Sequence, residues 1–213
     1  MIVNEIFNSI DGEGLRTGEL STFIRLAGCK LKCSYCDAKY SQKPSQGNYM
    51  SVDTIVSEVE KYDCKNITLT GGEPLQHENV DELIDRLINL GYKLNIETNG
   101  SIDISQYAGK NVLITMDYKL PSSKMEDRMI VDNLALLKKN DVVKFVVSDI
   151  DDLKRMYEIV KQYKPKAYIY ISPVYGKIEP SVIVDFMKQV KIKKARVQIQ
   201  LHKIIWDANT RGV

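Results

Sequence analysis

Residues 22–37 read TFIRLAGCKLKCSYCD, a run of apolar and β-branched residues that leads directly into three closely spaced cysteines. The run Thr22–Ala27 predicts a β-strand, since side chains of this kind pack well on a pleated sheet. Cys29, Cys33 and Cys36 follow within the next ten residues. We therefore expect a loop with three thiols at the end of a strand.

The same kind of run recurs along the chain, bounded each time by turn residues. Besides residues 22–27, the predicted strands are Val3–Phe7, Ile67–Thr70, Lys93–Glu97, Val112–Met116, Val142–Val147, Ala167–Ile171 and Arg196–Leu201. Apolar residues at helical spacing fill most of the gaps, and they predict helices around residues 52–59, 83–90, 134–137, 153–160 and 182–190. The chain therefore alternates strands with helices.

This alternation predicts right-handed βαβ crossovers and a mainly parallel sheet covered by helices. Residues 100–107 are too few for a full crossover helix, and the 213 residues of the chain lie near the lower limit of roughly 200 for a closed eightfold barrel. We therefore expect an α/β fold, an incomplete and open (β/α) barrel, with residues 1–213 in a single domain. Ligands of such a sheet bind at the carboxyl ends of its strands.

The composition is that of an ordinary globular protein, with 44% hydrophobic residues, 27% charged residues and a net charge of +2. Polar residues interrupt the apolar stretches near Met1, and no apolar run approaches the roughly 20 residues that span a bilayer. We expect a cytoplasmic protein that binds neither membranes nor nucleic acid. Its four cysteines are then expected to be ligands or buried thiols, because disulfides are rare in the cytoplasm.

The three cysteines of the loop can bind three irons of a cubane [4Fe–4S] cluster, and the motif offers no cysteine to the fourth iron. Structural zinc normally takes four ligands, so a zinc site would need a fourth from Cys64, His77 or His202. A zinc-binding interaction module is therefore a non-catalytic alternative. Cys64 follows a predicted helix, and we expect it to be an ordinary, partly buried thiol.

The spacing Cys29-x₃-Cys33-x₂-Cys36, with Tyr35 before the last cysteine, resembles the signature of the radical S-adenosylmethionine (SAM) superfamily. The resemblance implies a [4Fe–4S] cluster whose free iron is chelated by SAM, and cleavage of SAM to methionine and a 5′-deoxyadenosyl radical. Residues 68–74, TLTGGEP, resemble the superfamily's motif that receives the SAM amino group. The SAM-binding residues that the resemblance implies are Tyr35, Gly71, Gly72, Glu73, Thr98, Asn99, Ser148 and Pro173.

Both ends of the chain resemble the 7-carboxy-7-deazaguanine synthase family within that superfamily. Residues 5–14 read EIFNSIDGEG, residues 200–206 read QLHKIIW, and the chain ends in Arg211-Gly-Val213. The resemblance implies conversion of 6-carboxy-5,6,7,8-tetrahydropterin to 7-carboxy-7-deazaguanine with loss of ammonia. The implied steps are removal of a hydrogen atom from C6 of the pterin, radical ring contraction and regeneration of SAM, with Mg²⁺ assisting.

A carboxypterin has a carboxylate and a guanidine-like edge, and the sequence offers partners for both. Arg25, on the strand that leads into Cys29, can pair with the carboxylate through a bidentate guanidinium. Glu13 can accept hydrogen bonds from the guanidine-like edge, and the resemblance gives that role to the matching Glu. His202 and the α-carboxylate of Val213 are further contacts that the resemblance implies. The expected substrate-binding residues are Asp11, Glu13, Gly14, Arg25, His202 and Val213.

Three positions depart from the family's pattern, and one of them, Lys30 in place of Asn, is expected to be neutral. Asp11 stands where the family usually has Gln, so an anion replaces a side chain that both donates and accepts. Ala38 stands where many members have a Thr whose hydroxyl coordinates magnesium. Asp37 can bind that ion directly or through water, because magnesium prefers oxygen ligands. Asp37 and Ala38 therefore mark the expected Mg²⁺ position, and only Asp37 has a side-chain oxygen.

Residues 11–16, DGEGLR, also resemble the DGPGxR motif of enzymes that generate glycyl radicals on partner proteins. That activity is the catalytic alternative, and Glu13 in place of the motif's Pro argues against it. The family resemblance implies a homodimer and an electron donor such as flavodoxin or ferredoxin. The basic stretch at residues 188–196 is either a solvated surface or a contact for an acidic donor protein.

Overall fold

The computed structural model describes residues 1–208 and 210–213, and these residues contain a nine-stranded sheet. The strands are β1 (Ile2–Ile10), β2 (Leu20–Leu26), β3 (Asn48–Tyr49), β4 (Asn66–Gly71), β5 (Lys93–Thr98), β6 (Leu113–Tyr118), β7 (Val142–Val147), β8 (Tyr168–Pro173) and β9 (Ala195–Val197). The α-helices of the described residues are α1 (Val52–Glu60), α2 (Val80–Asn89), α3 (Ser105–Ala108), α4 (Asn133–Leu136), α5 (Ile150–Tyr163), α6 (Pro180–Val190) and α7 (His202–Ile205).

The strand order across the sheet is β3-β1-β2-β4-β5-β6-β7-β8-β9. Strand β1 runs antiparallel to both of its neighbours, whereas β2, β4 and the later strands are each parallel to the next strand in the order. Strands β3 and β9 form the two edges, so the sheet is open. The predicted open, incomplete (β/α) barrel with mainly parallel strands is confirmed.

The structure differs from the sequence-based assignment at both edges of the sheet. Strand β3 was not predicted, because two residues give no alternation to recognise. The predicted strand Arg196–Leu201 was too long, since β9 ends at Val197. The chain then turns back across the mouth of the sheet, and the N–H of Leu201 donates to the carbonyl of Gly12 over 3.0 Å. His202 consequently begins α7.

One face of the sheet is apolar and lies beneath the helices. Helix α1 begins after Ser51, whose Oγ accepts a hydrogen bond from the N–H of Thr54 over 3.2 Å, and it buries Ile55, Val56 and Val59. Many strand residues on this face are at most 2% exposed, and each of these contributes about 1.5–3 kcal/mol through burial. They include Ile24, Leu26, Ile67, Leu69, Leu94, Ile96, Ile114, Met116, Val143, Phe145, Ile169 and Ile171.

The alternate residues of the same strands point to the opposite face, which is rich in polar groups. Hydroxyl, amide and carboxylate groups join neighbouring strands there: Ser21 to Thr68 (3.0 Å), Thr70 to Glu97 (2.8 Å) and Thr115 to Asn95 (3.0 Å). The polar face is thus available for ligands.

In the described part of the chain, no helix combines the length and apolar character needed to cross a membrane.

Candidate active site

A cavity of about 720 Å³ lies over the polar face of the sheet. The carboxyl ends of the strands contribute to its wall, with Gly71 from β4, Thr98 from β5 and Pro173 from β8. The cysteine loop and the last residues of the chain close other sides. This is the position that the parallel-sheet topology predicts for a ligand site.

Cys29, Cys33 and Cys36 are half-buried and all line this cavity. The loop is held by a hydrogen bond from the N–H of Cys36 to the carbonyl of Cys33 (3.2 Å), and Asn99 Nδ2 lies 3.5 Å from the Cys29 sulfur. Burial raises the pKa of the Cys29 and Cys33 thiols, and for Cys33 the nearby Lys119 ammonium opposes that rise. The thiols therefore sit where a cationic metal centre would favour their ionised form.

The thiol arrangement fits a cubane cluster better than a single zinc ion. In residues 1–208 and 210–213, no three His, Cys, Asp or Glu side chains converge tightly enough to hold one metal ion. A closed zinc site requires such convergence, whereas a cubane binds each thiolate through a different iron. Cys64, one of the three candidates for a fourth zinc ligand, lies with its sulfur 3.4 Å from the Leu20 carbonyl, outside the cavity.

The paired glycines at the end of β4 allow the backbone of the cysteine loop to approach. A Cβ on Gly71 would collide with the backbone of Leu26, and one on Gly72 would collide with the carbonyl of Gly28. Gly71 also has a φ of +141°, which side chains disfavour. The family resemblance implies that these glycines bind SAM. In the structure they also bring β4 against the start of the cysteine loop.

Glu73 is buried behind the cavity wall. Its carboxylate accepts hydrogen bonds from Thr98 Oγ1 (2.8 Å) and from the N–H groups of Asn99 (2.7 Å) and Leu75 (3.1 Å). Burial raises its pKa to about 7, against the effect of these hydrogen bonds. Thr98 and Asn99 themselves line the cavity, so Glu73 fixes the position of two residues that were predicted to bind SAM.

Ser148, predicted to bind SAM, and Gly14, predicted to bind the substrate, also lie outside the cavity wall. The N–H of Ser148 donates to the carboxylate of Asp152 (2.9 Å), and the N–H of Gly14 donates to Gln198 Oε1 (2.7 Å). Tyr35 does line the cavity, with its hydroxyl 3.4 Å from the carbonyl of Val146. The structure thus brings Tyr35, Gly71, Gly72, Thr98, Asn99 and Pro173 to the same cavity as the three cysteines.

One end of the cavity has an excess of positive charge. The guanidinium of Arg25 pairs with Glu5 (2.8 Å) and lies over the rings of Phe7 and Tyr40 at 5.8 and 5.6 Å. Arg211 reaches the same Glu5 carboxylate at 3.5 Å and lies over Tyr40 at 4.1 Å. Two guanidinium groups therefore share one carboxylate, which leaves capacity for an anionic ligand.

The floor of the cavity is built around two buried ammonium groups. Lys144 Nζ lies 2.8 Å from Glu13 and 3.1 Å from Asp117, and Lys119 Nζ lies 2.7 Å from Asp117. Burial opposes the charge on Lys144, but Asp117 and Glu13 outweigh it and hold the pKa of Lys144 well above its usual range. Lys144 and Lys119 are therefore cations that fix the positions of Glu13 and Asp117.

Two further carboxylates face the same space. Asp11 accepts a hydrogen bond from Thr68 Oγ1 (2.9 Å), and Glu97 accepts one from Thr70 Oγ1 (2.8 Å). Thr68 and Thr70 are alternate residues of β4 and therefore point to the same face. Burial raises the pKa of Glu97 above its ordinary value, although Lys144 acts in the opposite direction. If the four carboxylates and the two ammonium groups of the floor are all ionised, the floor carries four negative and two positive charges.

The C-terminal segment forms the lid of the cavity. The imidazole of His202 lies against Gly12 so closely that a Cβ there would collide with it. Burial lowers the pKa of His202, against the effect of Glu13. Val213 and Arg211 also line the cavity. The structure therefore brings Asp11, Glu13, Arg25, His202 and Val213 to the wall of the same cavity.

Comparison with known proteins identifies the family. The family model of the Radical SAM superfamily matches residues 23–111. The 7-carboxy-7-deazaguanine synthase of Clostridium acetobutylicum is 48% identical over 99% of this chain and 98% of its own length. That of Leptospira interrogans is 36% identical over 99% of this chain and 97% of its own length. This chain belongs to the 7-carboxy-7-deazaguanine synthase family.

The fold agrees with that family assignment. The crystal structure of QueE from Escherichia coli superposes with a TM-score of 0.77, at 22% identity, over 94% of each chain. Membership of the radical SAM superfamily implies a [4Fe–4S] cluster and SAM as cofactors. The three cavity thiols of this 7-carboxy-7-deazaguanine synthase family member are suited to hold that cluster.

The expected magnesium position does not match the donor set that the ion prefers. Ala38 has no side-chain oxygen, and the Asp37 carboxylate is already bound by Lys203 Nζ (3.1 Å) and Gln200 Nε2 (3.2 Å). Burial opposes ionisation of Asp37, but Lys203 outweighs it and keeps the pKa of Asp37 below its usual range. Magnesium would have to compete with the Lys203 ammonium for the one side-chain carboxylate available there.

Sequence reasoning missed several charged residues of the cavity in this family member. Glu97, Asp117 and Lys144 occupy inward positions of β5, β6 and β7, and Lys119 follows β6. A signal was present, because charged residues at alternate positions of otherwise apolar strands indicate a polar lumen. Arg211 gave no comparable signal, since its contact with Glu5 joins opposite ends of the chain.

Proposed function

We propose that this chain is a carbon–nitrogen lyase that converts 6-carboxy-5,6,7,8-tetrahydropterin to 7-carboxy-7-deazaguanine with release of ammonia. One observation carries the proposal: the cavity that holds the three thiols has a positive end at Arg25 and a negative floor at Glu13. The carboxypterin has the complementary pattern, with a carboxylate at one end and hydrogen-bond donors at the other. The names of the relatives support the same product.

At the positive end, Arg25 and Arg211 bind the pterin carboxylate. Glu5 neutralises only one of the two guanidinium groups, so the other charge is available to the ligand. The Phe7 ring, stacked on Phe23 with centroids 4.9 Å apart, supports the Arg25 guanidinium from below. This packing holds the planar guanidinium of Arg25 in a fixed orientation, which favours bidentate pairing with a carboxylate.

At the floor, Glu13 and Glu97 accept hydrogen bonds from the guanidine-like edge of the pterin. Lys144 holds Glu13 in place, and Thr70 holds Glu97. His202 and Val213 then close the cavity over the ring. The proposed substrate residues remain Asp11, Glu13, Gly14, Arg25, His202 and Val213, with Gly14 acting through its hydrogen bonds to Gln198.

For the cofactors, we propose that Cys29, Cys33 and Cys36 each bind one iron. When bound, the reduced cluster and SAM together supply a carbon-centred radical able to remove a hydrogen atom from the pterin. The chain's own residues position both partners and exclude water. The proposed SAM-binding residues are Tyr35, Gly71, Gly72, Thr98, Asn99 and Pro173 in the cavity wall, with Glu73 and Ser148 behind it.

Several finer statements complete the proposal. The chain is a single domain of residues 1–213 that works in the cytoplasm as a homodimer, without nucleic acid or membrane partners. A flavodoxin or ferredoxin supplies the electron, and the basic stretch at residues 188–196 is a candidate contact for such an acidic protein. Magnesium is not assigned to Asp37 and Ala38, because Lys203 already neutralises Asp37.

An anaerobic turnover assay tests this function. The reconstituted chain would be mixed with SAM, a chemical reductant and either the carboxypterin or the same tetrahydropterin without its carboxylate. We expect 7-carboxy-7-deazaguanine and ammonia from the first substrate and no product from the second. Cleavage of SAM without consumption of the carboxypterin would contradict the proposal, and radical transfer only to an added protein would favour a glycyl-radical activating enzyme.

A further inference from the structure

Asp11 is the most deeply buried acidic group of the cavity floor. Its side chain faces the cavity, yet the residue is only 1% exposed. One oxygen, Oδ2, accepts a hydrogen bond from Thr68 Oγ1 over 2.9 Å, and Thr68 in turn contacts Ser21 Oγ at 3.0 Å. In the part of the chain that the structure describes, no hydrogen bond is made to the other oxygen, Oδ1, so it is available to a molecule in the cavity.

Among the described residues, no cation forms an ion pair with Asp11. The Lys144 ammonium is divided between Glu13 and Asp117, and Arg16 Nη1 donates to the carbonyl of Lys93 over 2.8 Å. The charged and titratable groups that face Asp11 are Glu97 from β5, Glu13 and Arg16 from the loop after β1, and His202 from α7. Two of these are carboxylates, so an ionised Asp11 would be both desolvated and repelled.

Protonation of Asp11 removes both penalties. Burying an unpaired carboxylate is costly enough that such groups take up a proton instead. Burial and the Glu97 charge raise the pKa of Asp11 to about 7, while Thr68 and Arg16 act in the opposite direction. Because Thr68 already donates to Oδ2, the proton is expected on Oδ1, which faces the cavity.

We propose that Asp11 recognises the substrate as a neutral carboxylic acid, with its proton donated to an acceptor atom such as the ring carbonyl of the bound heterocycle. A carboxylic acid has one donating group and one accepting group, as does the carboxamide of the Gln in the family's pattern. Glu13 then accepts hydrogen bonds from the donors of the same edge. This inference rests on the proposed function and names a residue that determines its specificity.

Binding of the carboxypterin at different pH values tests this inference without turnover. The dissociation constant would be measured with SAM-loaded, unreduced enzyme from about pH 5.5 to 9, for the native chain and for Asp11→Asn. For the native chain we expect it to rise about tenfold per pH unit above pH 7, because the proton is lost from the free enzyme. Asp11→Asn keeps the donor and should bind with the low-pH affinity throughout this range.

A second variant and a spectroscopic signal keep the test independent of turnover. Thr68→Val removes the hydroxyl that stabilises the anion, so it should move the midpoint of the binding curve to higher pH. The infrared difference spectrum between the unliganded native chain and Asp11→Asn should contain a protonated-carboxyl band at about pH 6 that disappears by about pH 9. Glu73, whose pKa is also raised to about 7, is present in both proteins and cancels in the difference. This band can be sought even if Thr68→Val folds poorly.

The outcomes separate this inference from the proposed function. No binding or conversion of the carboxypterin by the native chain at about pH 6 would contradict the proposed function itself. Binding with a dissociation constant that varies with pH no more than that of Asp11→Asn would overturn only the role of Asp11. Weak binding of Asp11→Asn at every pH would also overturn it, because the anion would then be the required form.

Discussion

The two faces of the same sheet differ sharply in what they contribute. On β4, Ile67 and Leu69 point to the helices, while Thr68 and Thr70 point to the cavity. The outward side chains are fully buried among other apolar groups, so burial stabilises the fold. The inward side chains hold the carboxylates of Asp11 and Glu97 in place, and among the residues that the structure describes neither carboxylate forms an ion pair.

This difference shows how one strand can serve stability and chemistry at once. A period of two separates the faces completely, so adjacent residues have opposite roles. Buried like charges destabilise the protein, but under the proposed function they accept hydrogen bonds from a ligand with several donors. Substitutions on the apolar face should therefore change the free energy of unfolding, and those on the polar face should change binding or turnover.

The largest effect is expected at the cysteine loop. Cys33→Ala removes one of the three proposed iron ligands, so the reconstituted protein should lose its iron and its ability to cleave SAM. Cys64→Ala is the matched control, because Cys64 lies outside the cavity. Cys64→Ala should keep the colour of the iron–sulfur cluster, the iron content and the activity. Full activity of Cys33→Ala would show that the loop is not the cluster site.

The next effect is expected on the apolar face at Phe145. This ring is fully buried and packs against Tyr118 with centroids 5.6 Å apart. Phe145→Ala should lower the free energy of unfolding by about 3–5 kcal/mol, as measured by denaturant titration of the cofactor-free chain. Phe145→Leu should lower the free energy of unfolding by a smaller amount. An unchanged free energy with a loss of pterin binding would contradict the division between the two faces.

At the positive end of the cavity, Arg25→Ala should reduce turnover of the carboxypterin by about 10- to 100-fold, the loss expected for a charged hydrogen-bonded pair. The affinity for SAM should change less than about twofold. Arg25→Lys retains the charge but loses the planar guanidinium that can pair through two N–H groups, so it should restore only part of the activity. Equal losses of SAM binding and pterin turnover would place Arg25 in a structural role.

At the floor, Glu97→Gln should separate stability from binding. It removes a buried charge among Asp11, Glu13 and Asp117, so we expect the free energy of unfolding to stay constant or to rise by up to about 1 kcal/mol. The dissociation constant of the carboxypterin should rise by about tenfold. A large loss of stability with unchanged binding would show that Glu97 holds the fold and does not read the ligand.

The smallest effect concerns magnesium. Lys203 neutralises Asp37 and Ala38 adds no ligand, so turnover should differ less than about twofold with magnesium or with a chelator. Lys203→Met frees the Asp37 carboxylate and should make turnover depend on magnesium. Strong dependence in the native chain would show that the ion displaces Lys203 during the reaction.

Local sequence patterns predicted the strands and the cysteine loop well, because both depend on neighbouring residues. They failed where distant segments meet. The ion pair of Lys144 with Glu13 joins residues 131 positions apart, and no local pattern indicates such a contact. The same is true of Lys203 and Asp37, which are 166 positions apart. Strand β9 was predicted too long for a related reason, since its end is set by contacts of residues 198–201 with the loop after β1.

The central claim is that three thiols on the polar face leave one iron of the cluster open to SAM. Hyperfine spectroscopy of the reduced cluster, with SAM labelled at its amino nitrogen and carboxylate oxygens, tests this directly. Couplings from both labels to the cluster are the result we predict. A cluster whose fourth iron already has a protein side chain, and which shows no coupling to labelled SAM, would contradict the account.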